Sequence, residues 1–437
     1  MTWAAIRFYL VLSILHQWHT RQVDFVLAYT QADAECEMYM EIPRGFHVDG
    51  DPRSHVLKLE KNLYGSRQAG RVWYQHLSSG LIQLGFRRSA IDECVFYKGS
   101  TVLLIYTDDG ILCGPDKAEI EGIIQSLHDN FDLTDEGDIG DYLGVKFEPL
   151  GDGRVKLCQP HLIDQILADL GLAGQCNGKR TPAMSSQILL RDEDGDRYDE
   201  AWDYRSVIGK MNYLEKSTRP DISYAVHQCA RFASDPKHSH AQAVKHIGRY
   251  LYATRDQGII LDPKDHSFDC YADADFAGNW NRDTARDDIA TAKSRTAYII
   301  SYAGCPITWA SKLQTEIALS TTEAEYIALS TCLRTAIPLM QLLDEARGRG
   351  IRVTTELPRI HCKLFEDNSG AIELATVHKM RPRTRHINLK FHHFREFYRK
   401  GLISIHQITS EHQLADLGTK SLSAEQFEYL RKRVMGW

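Results

Sequence analysis

The chain has 437 residues, with 52 Lys plus Arg against 58 Asp plus Glu and a net charge of −6. At 43% hydrophobic and 25% charged residues it has the composition of a globular protein with a core. That excludes a disordered, collagen-like or disulfide-stapled chain, and the acidic balance excludes a uniformly basic nucleic-acid coat; the length suggests about three domains.

Phe8 to Leu15 is an apolar run between Arg7 and His16. It is too short for the ~20 residues of a membrane span, so it predicts a core helix. Val23, Phe25 and Leu27 then alternate with Asp24 and Val26, as in a half-buried strand that projects Asp24 from one face. Leu103–Tyr106, the turn Thr107-Asp108-Asp109-Gly110 and Ile111–Cys113 read as a hairpin, with Asp-Gly as its turn signal. Thr181-Pro182 and the acidic stretch 191–196 mark a surface connection. Asp192, Asp194 and Asp196 alternate as in a calcium loop, but Gly195 is misplaced and no Glu closes the loop, which favours a solvated linker. Residues 198–262 are mainly helical, and Arg219-Pro220-Asp221 opens a helix that closes before Asp235-Pro236. Strands and helices alternate again over 266–420. The ten cysteines form no C-x-x-C pair and read as buried thiols of a reducing, intracellular compartment.

Phosphoryl transfer needs carboxylates that fix divalent metals, gathered from distant strand ends. Two sets qualify. Asp24 joins Asp108 and Asp109, although a hairpin turn alone explains the Asp pair equally well. In the second set, Asp269, Tyr271, Asp273 and Asp275 share one face of a strand. Glu323 in Ser320-Thr-Thr-Glu323 opens an amphipathic helix with core positions Leu329, Leu333, Ala336 and Met340. S-x-x-E is also a capping box, which gives Glu323 a purely structural reading. Asp367 ends a strand-to-turn segment, and Asp416 lies in Gln413–Lys420, where a helix N-cap is the alternative.

In this order the residues resemble the polymerase and ribonuclease H regions of copia-type retrotransposon polyproteins. The resemblance rests on Gln22–Tyr29, Met38–Phe46, Asn62–Arg71, Tyr106-Thr-Asp-Asp109, Thr218–Asp221, Tyr271–Asp275, Ser320–Tyr326, Glu366–Asn368, Thr384–Ile387 and Ala415–Lys420. It implies an α+β and α/β multidomain fold: a reverse-transcriptase palm over 1–175, a helical thumb or connection over 176–265, and a ribonuclease H-like mixed-sheet domain over 266–437. It also implies two Mg2+ ions per centre, with Mn2+ an alternative. Asp24 and Asp108 would hold them in the polymerase with Asp109 alongside, and Asp273, Glu323, Asp367 and Asp416 in the nuclease. Tyr29 falls where such enzymes keep an aromatic gate against a ribose 2′-hydroxyl, and Gln68 near the incoming nucleotide. Lys61, Arg67 and Arg71 are expected to face the substrate, and His412 is a candidate proton shuttle.

The implied partners are an RNA template, a DNA primer, an RNA–DNA hybrid and deoxynucleoside triphosphates, with no membrane. The implied location is the cytoplasm, a virus-like particle or the nucleus. Against the family pattern, Thr107 stands for Val, Ser66 and Gly70 replace Leu and Pro, and Pro338 is expected to kink or end its helix. The chain opens on the helix before Asp24, without the family's fingers segment, so a truncated copy is expected. Three readings stay open: polymerase with nuclease, nuclease alone, and an inactive nucleic-acid-binding remnant. Charge is segregated to match. Residues 53–88 carry seven basic residues against Glu60, and 376–437 carry twelve against five acids. Residues 108–152 carry thirteen acids against Lys117 and Lys146. The basic tracks suit a nucleic-acid backbone.

Overall fold

The computed structural model describes residues 3–174, 176–184, 189–198, 201–282, 288–353, 360–377 and 389–437. The chain separates into two compact units, His16–Ile139 and Thr2–Leu15 with Gly140–Trp437.

The first apolar run is helix α1 (Trp3–His16), buried along most of its length and packed into the second unit. Its lone charge holds it there. Arg7 donates to the carbonyls of Ile307 (2.9 Å), Lys216 (2.5 Å) and Ser217 (2.6 Å), and its guanidinium lies 4.1 Å from the Trp309 ring centre. Lys216 and Ser217 end a helix, so the cation meets the negative end of that helix dipole.

The first unit contains β1 (His19–Phe25), α2 (Ala28–Gln31), β2 (Asp33–Glu41), β3 (Val56–Lys61), α3 (Ala69–Gln83) and β4 (Arg87–Arg88). It continues with β5 (Val95–Lys98), β6 (Thr101–Tyr106), β7 (Asp109–Gly114), α4 (Lys117–His128) and β8 (Leu133–Gly137). Six strands form an antiparallel sheet in the order β4-β5-β6-β7-β1-β8, while β2 and β3 make a separate ribbon. Both long helices contribute to one core with this sheet. Trp73, Leu77 and Leu81 come from α3, Ile120, Ile124 and Leu127 from α4, and Val23, Phe25, Leu103 and Leu112 from the strands. The hairpin is tighter than its sequence suggests. Tyr106 pairs with Asp109, so the turn is Thr107-Asp108, and Asp109-Gly110 already belong to the return strand.

The second unit begins with β9 (Asp141–Tyr142), β10 (Val145–Pro149), β11 (Val155–Cys158) and α5 (Pro160–Asp169). Helices α6 (Tyr204–Ser217), α7 (Ser223–Ala230) and α8 (His238–Ala253) follow, and β12 (Ile259–Leu261) completes a sheet ordered β12-β11-β10-β9. Arg219 and Asp221 form a fully buried ion pair at 2.8 Å, beside a short 3-10 turn that leads into α7.

The remainder comprises β13 (Phe268–Asp275), β14 (Arg295–Tyr302), β15 (Cys305–Leu313), α9 (Thr321–Gly348) and β16 (Cys362–Glu366). After these come α10 (Ser369–Thr376), α11 (Arg395–Arg399), β17 (Ile403–Gln407), α12 (Asp416–Thr419) and α13 (Ala424–Met435). The sheet order is β15-β14-β13-β16-β17, antiparallel among the first three strands and parallel from β13 outward. Pro338 does not end α9, which runs on for ten more residues. The lost helix hydrogen bond is offset by buried neighbours on both sides of the proline, including Ile337 and Met340. By length and composition α9 is apolar enough to cross a membrane, but most of that stretch is buried inside this unit. The Thr384–Ile387 motif lies outside the described residues.

Candidate active site

In the first unit, Asp24 on β1 sits directly across from Asp109 on the neighbouring β7. Asp108 is in the hairpin turn, and its carbonyl accepts from Phe25 N at 2.8 Å, which ties the turn to the Asp24 strand. Trp73 Nε1 donates to the Thr107 carbonyl at 2.6 Å and holds the turn from the α3 side. Thr107 has φ +59°, an αL value that is strained for a β-branched residue and that clusters at functional sites. Gly110 is needed for a different reason: a Cβ there would come within 2.8 Å of Val23 Cγ2. The three carboxylates are half-buried. Burial and the charges of Asp108 and Asp24 push Asp109 up to about 6, and burial with Asp108 raises Asp24.

Tyr29 lies on α2 with its ring centre 4.4 Å from that of Tyr64, and it lines a pocket with Gly70, Trp73, Tyr106 and Thr107. Gln68 turns its amide to Met38 Sδ (2.7 Å) on β2. Lys61 pairs with Asp33 at 2.6 Å and Arg71 with Glu35 at 2.5 Å, while Arg67 is exposed. Two of the three cations expected at the substrate are therefore paired with acids at the start of β2.

In the second unit, Asp273, Glu325 and Asp367 each present a carboxylate oxygen within 4.8 Å of the others. This corrects the sequence reading by two residues. Glu323 Oε2 accepts from Leu319 N (2.8 Å) while Ser320 Oγ accepts from Glu323 N, so Glu323 serves the helix cap. Glu325, one half-turn on, faces the sheet and accepts from Ala274 N at 2.7 Å. Small residues make this approach possible: Ala274, Ala318, Ala324 and Ala328 pack together where α9 meets β13. Asp367 follows β16 and accepts from Ser410 Oγ at 2.6 Å.

Asp416 opens α12, whose Gly418 packs so close to β14 that a Cβ would lie 2.6 Å from Ala297 Cβ. Thr419 Oγ1 donates to Asp273 Oδ2 (2.5 Å), and Lys420 Nζ lies 2.8 Å from Asp416 Oδ2. Sequence reasoning also missed Glu366. It is fully buried beside Asp367, accepts from Asn368 N and feels the charge of Asp273. His412 is bonded to the Tyr429 hydroxyl at 2.8 Å.

Burial dominates the electrostatics here. It raises Asp273, Glu366, Glu325 (to about 11) and Asp416 (to about 7), and neighbouring acids add to the rise of all four. Burial works against the Lys420 ammonium, yet Asp273 and Asp416 raise it. Asp416 Oδ1 and Glu366 Oε2 are buried with no hydrogen-bond partner among the described residues. Converging carboxylates with unsatisfied oxygens are costly unless protonated or matched by a cation, and an all-oxygen donor set suits a hard dication. The residues present thus fit a divalent metal held by Asp273, Glu325 and Asp367, with Asp416 beside them.

Residues 1–185 match the reverse transcriptase (RNA-dependent DNA polymerase) family model, so the chain carries a reverse transcriptase domain. Across 98% of its length the chain is homologous to the retrovirus-related Pol polyproteins of copia-type transposons. It is 32% identical over 435 residues to the Pol polyprotein from transposon RE1 of Arabidopsis thaliana. It is 32% identical over 443 residues to that from transposon TNT 1-94 of Nicotiana tabacum. The chain spans only 28% and 32% of those two relatives. A putative transposon Ty5-1 protein of Saccharomyces cerevisiae is 26% identical over 70% of this chain and 98% of its own length. Among solved structures, the N-terminal RNase H domain of a Mycobacterium tuberculosis protein, fused to maltose binding protein, covers 38% of this chain and 96% of that one. The two are 12% identical, with a TM-score of 0.24.

Proposed function

We propose that the chain is a two-centre enzyme of nucleic-acid synthesis and removal: an RNA-directed DNA polymerase at Asp24, Asp108 and Asp109, and an RNA–DNA hybrid ribonuclease at Asp273, Glu325, Asp367 and Asp416. The observation that carries the nuclease reading is the convergence of Asp273, Glu325 and Asp367 from β13, α9 and the end of β16. The polymerase reading rests on the family match together with the cross-strand pairing of Asp24 and Asp109 beside the Asp108 turn.

Bound at such sites, Mg2+ or Mn2+ would activate the attacking oxygen and stabilise the leaving one. The chain's own residues orient the donors. Ala274 N fixes one Glu325 oxygen, Thr419 fixes one Asp273 oxygen, and Lys420 offsets the charge that collects on Asp416. Tyr29, which lines the pocket beside the Thr107 turn, would test the sugar of an incoming deoxynucleotide. The proposed working regions are palm to about residue 175, connection to about 265 and nuclease beyond, although α1 and residues 140–174 pack with the second compact unit and not with the first; the proposed setting is intracellular, with template, primer and hybrid as substrates.

The test is a pair of assays on the purified chain, in Mg2+ and in EDTA. Primer extension lost in Asp108→Asn and kept in Asp273→Asn is the outcome expected of the first centre. Hybrid cleavage should show the reverse pattern. Metal-dependent cleavage without extension would leave a nuclease alone, and no metal-dependent activity in either assay would reduce the chain to a binding remnant.

A further inference from the structure

The parallel ladder between β13 and β16 closes at Tyr271–Phe365, yet β13 runs on to Asp275 and β16 to Glu366. Past that last pair the two strands no longer bond to each other, and each delivers its acid there: Asp273 on β13, Asp367 just after β16. A strand that leaves its ladder keeps carbonyls that need donors when they are buried. Gln413 supplies one. Its side chain is fully buried, and its amide nitrogen donates to the Ala272 carbonyl at 2.9 Å and reaches the Phe365 carbonyl at 3.5 Å.

The same residue holds a third acid-bearing segment. Gln413 Oε1 accepts from Ala415 N (3.3 Å), and its main-chain carbonyl accepts from Asp416 N (3.2 Å) at the start of α12. The turn that precedes it, Ser410–His412, also sends Ser410 Oγ to Asp367 Oδ2. Ala272 adjoins Asp273, Phe365 lies two residues before Asp367, and Ala415 adjoins Asp416. Every bond of this one amide thus ends beside an acid of the buried centre. An amide suits the task, because it donates twice and accepts once without adding charge to a cluster already rich in carboxylates.

We propose that Gln413 is a positioning residue of the buried metal centre: it fixes the gap between the Asp273 and Asp367 segments and the approach of the Asp416 turn, and so sets the spacing of the carboxylates that hold a dication. It acts through the backbone of its neighbours, without contact to the ion. Glu325 is anchored separately, through Ala274 N. The inference rests on the reading of these acids as a metal centre and is independent of which nucleic acid that centre cuts.

Mn2+, which suits carboxylate oxygens as Mg2+ does, is titrated calorimetrically into the full chain carrying Asp24→Asn and Asp108→Asn, so that the second centre alone responds. Gln413→Met removes the donors at similar volume, and Gln413→Asn keeps the amide but draws it back by one methylene. Circular dichroism and the unfolding midpoint in EDTA check each fold. The expected result is Mn2+ affinity at least ~10-fold weaker in both variants with the fold retained, the scale for a residue that orients metal ligands. A lowered unfolding midpoint with unchanged Mn2+ affinity would make Gln413 a packing residue and overturn the assignment, as would loss of the fold in both variants. No Mn2+ binding before Gln413 is changed would overturn the metal centre itself, and this role with it. Weakened binding in a chain that cuts no hybrid would sustain the role and fail the nuclease alone.

Discussion

Two groups of carboxylates, built from the same residue types, sit in different surroundings. Asp24, Asp108 and Asp109 are half-buried on a hairpin and its neighbouring strand. Asp273, Glu325 and Asp416 are almost fully buried between a helix, a sheet and a short helical turn. Solvent screens the first group, so Asp109 rises only to about 6, whereas burial takes Glu325 to about 11. A screened carboxylate can stay charged while waiting for a metal brought with a triphosphate. A buried cluster stays charged only if the metal is resident. Under the proposed function, the contrast would concern when each centre becomes competent as much as what it does.

The largest expected effect sharpens the assignment of the buried centre. Glu325→Gln should lower hybrid cleavage on the order of 10^2–10^3-fold, the scale seen when one electrostatic partner of a reacting centre is removed. Glu323→Gln should leave cleavage within a few-fold of the parent. Single-turnover cleavage of a labelled hybrid measures both, and equal losses in the two variants would break the distinction between capping and chemistry.

That pair also shows how much the sequence discloses. Asp24 on a strand, the Asp pair at a hairpin, Asp273 on a strand face, and Asp367 and Asp416 near segment ends are all legible from alternation and turn chemistry. Glu323 and Glu325 are not separable by helical arithmetic alone: Glu325 lies four residues before Leu329, but Glu323 lies four before the equally buried Ile327. The capping signature drew attention to the acid already committed to the backbone. Other features are not legible. Arg7 finds its acceptors at Lys216, Ser217 and Ile307, hundreds of residues away, and no local pattern encodes that pairing. The hairpin turn is two residues shorter than expected: Asp-Gly is a strong turn signal, yet close packing of Gly110 on Val23 needs the glycine within the strand.

A smaller effect probes the exposed centre. If Tyr29 gates the sugar, Tyr29→Val should raise ribonucleotide incorporation relative to deoxynucleotide by at least about tenfold, the range a change of pocket wall provides. Primer extension with matched nucleotide pairs reads that ratio. An unchanged ratio would remove Tyr29 from the gate and leave its packing on Tyr64 as its role.

The pH dependence of the metal-free chain tests the contrast in burial directly. Asp416 is raised to about 7 by burial and by Asp273, whereas an unfolded Asp titrates near 4. Between those values the folded state holds a proton that the unfolded state has lost, so stability falls as pH rises from ~4 to ~7. In EDTA the unfolding midpoint of the second unit should therefore drop across that window, and Asp416→Asn should flatten the slope. Saturating Mg2+ should reduce it too, because a bound dication favours the ionised acids. A steeper slope for the half-buried centre than for the buried one would break the comparison.

The smallest expected effect concerns strain. Thr107 occupies an αL conformation that costs a β-branched residue roughly 1–3 kcal/mol, while Asn tolerates it. Thr107→Asn should raise stability in the first unit by about 1 kcal/mol, measured by urea unfolding followed through Trp73, which bonds to the Thr107 carbonyl. The backbone contacts from Trp73 and Phe25 do not involve the Thr107 side chain, so the position of Asp108 should survive the change. If stability rises and primer extension is unaltered, the strain is a by-product of the turn. If extension falls while stability rises, the strained turn is part of how the exposed centre places its carboxylates, a device for which the buried centre, fixed by Gly418 and the α9 alanines, has no need.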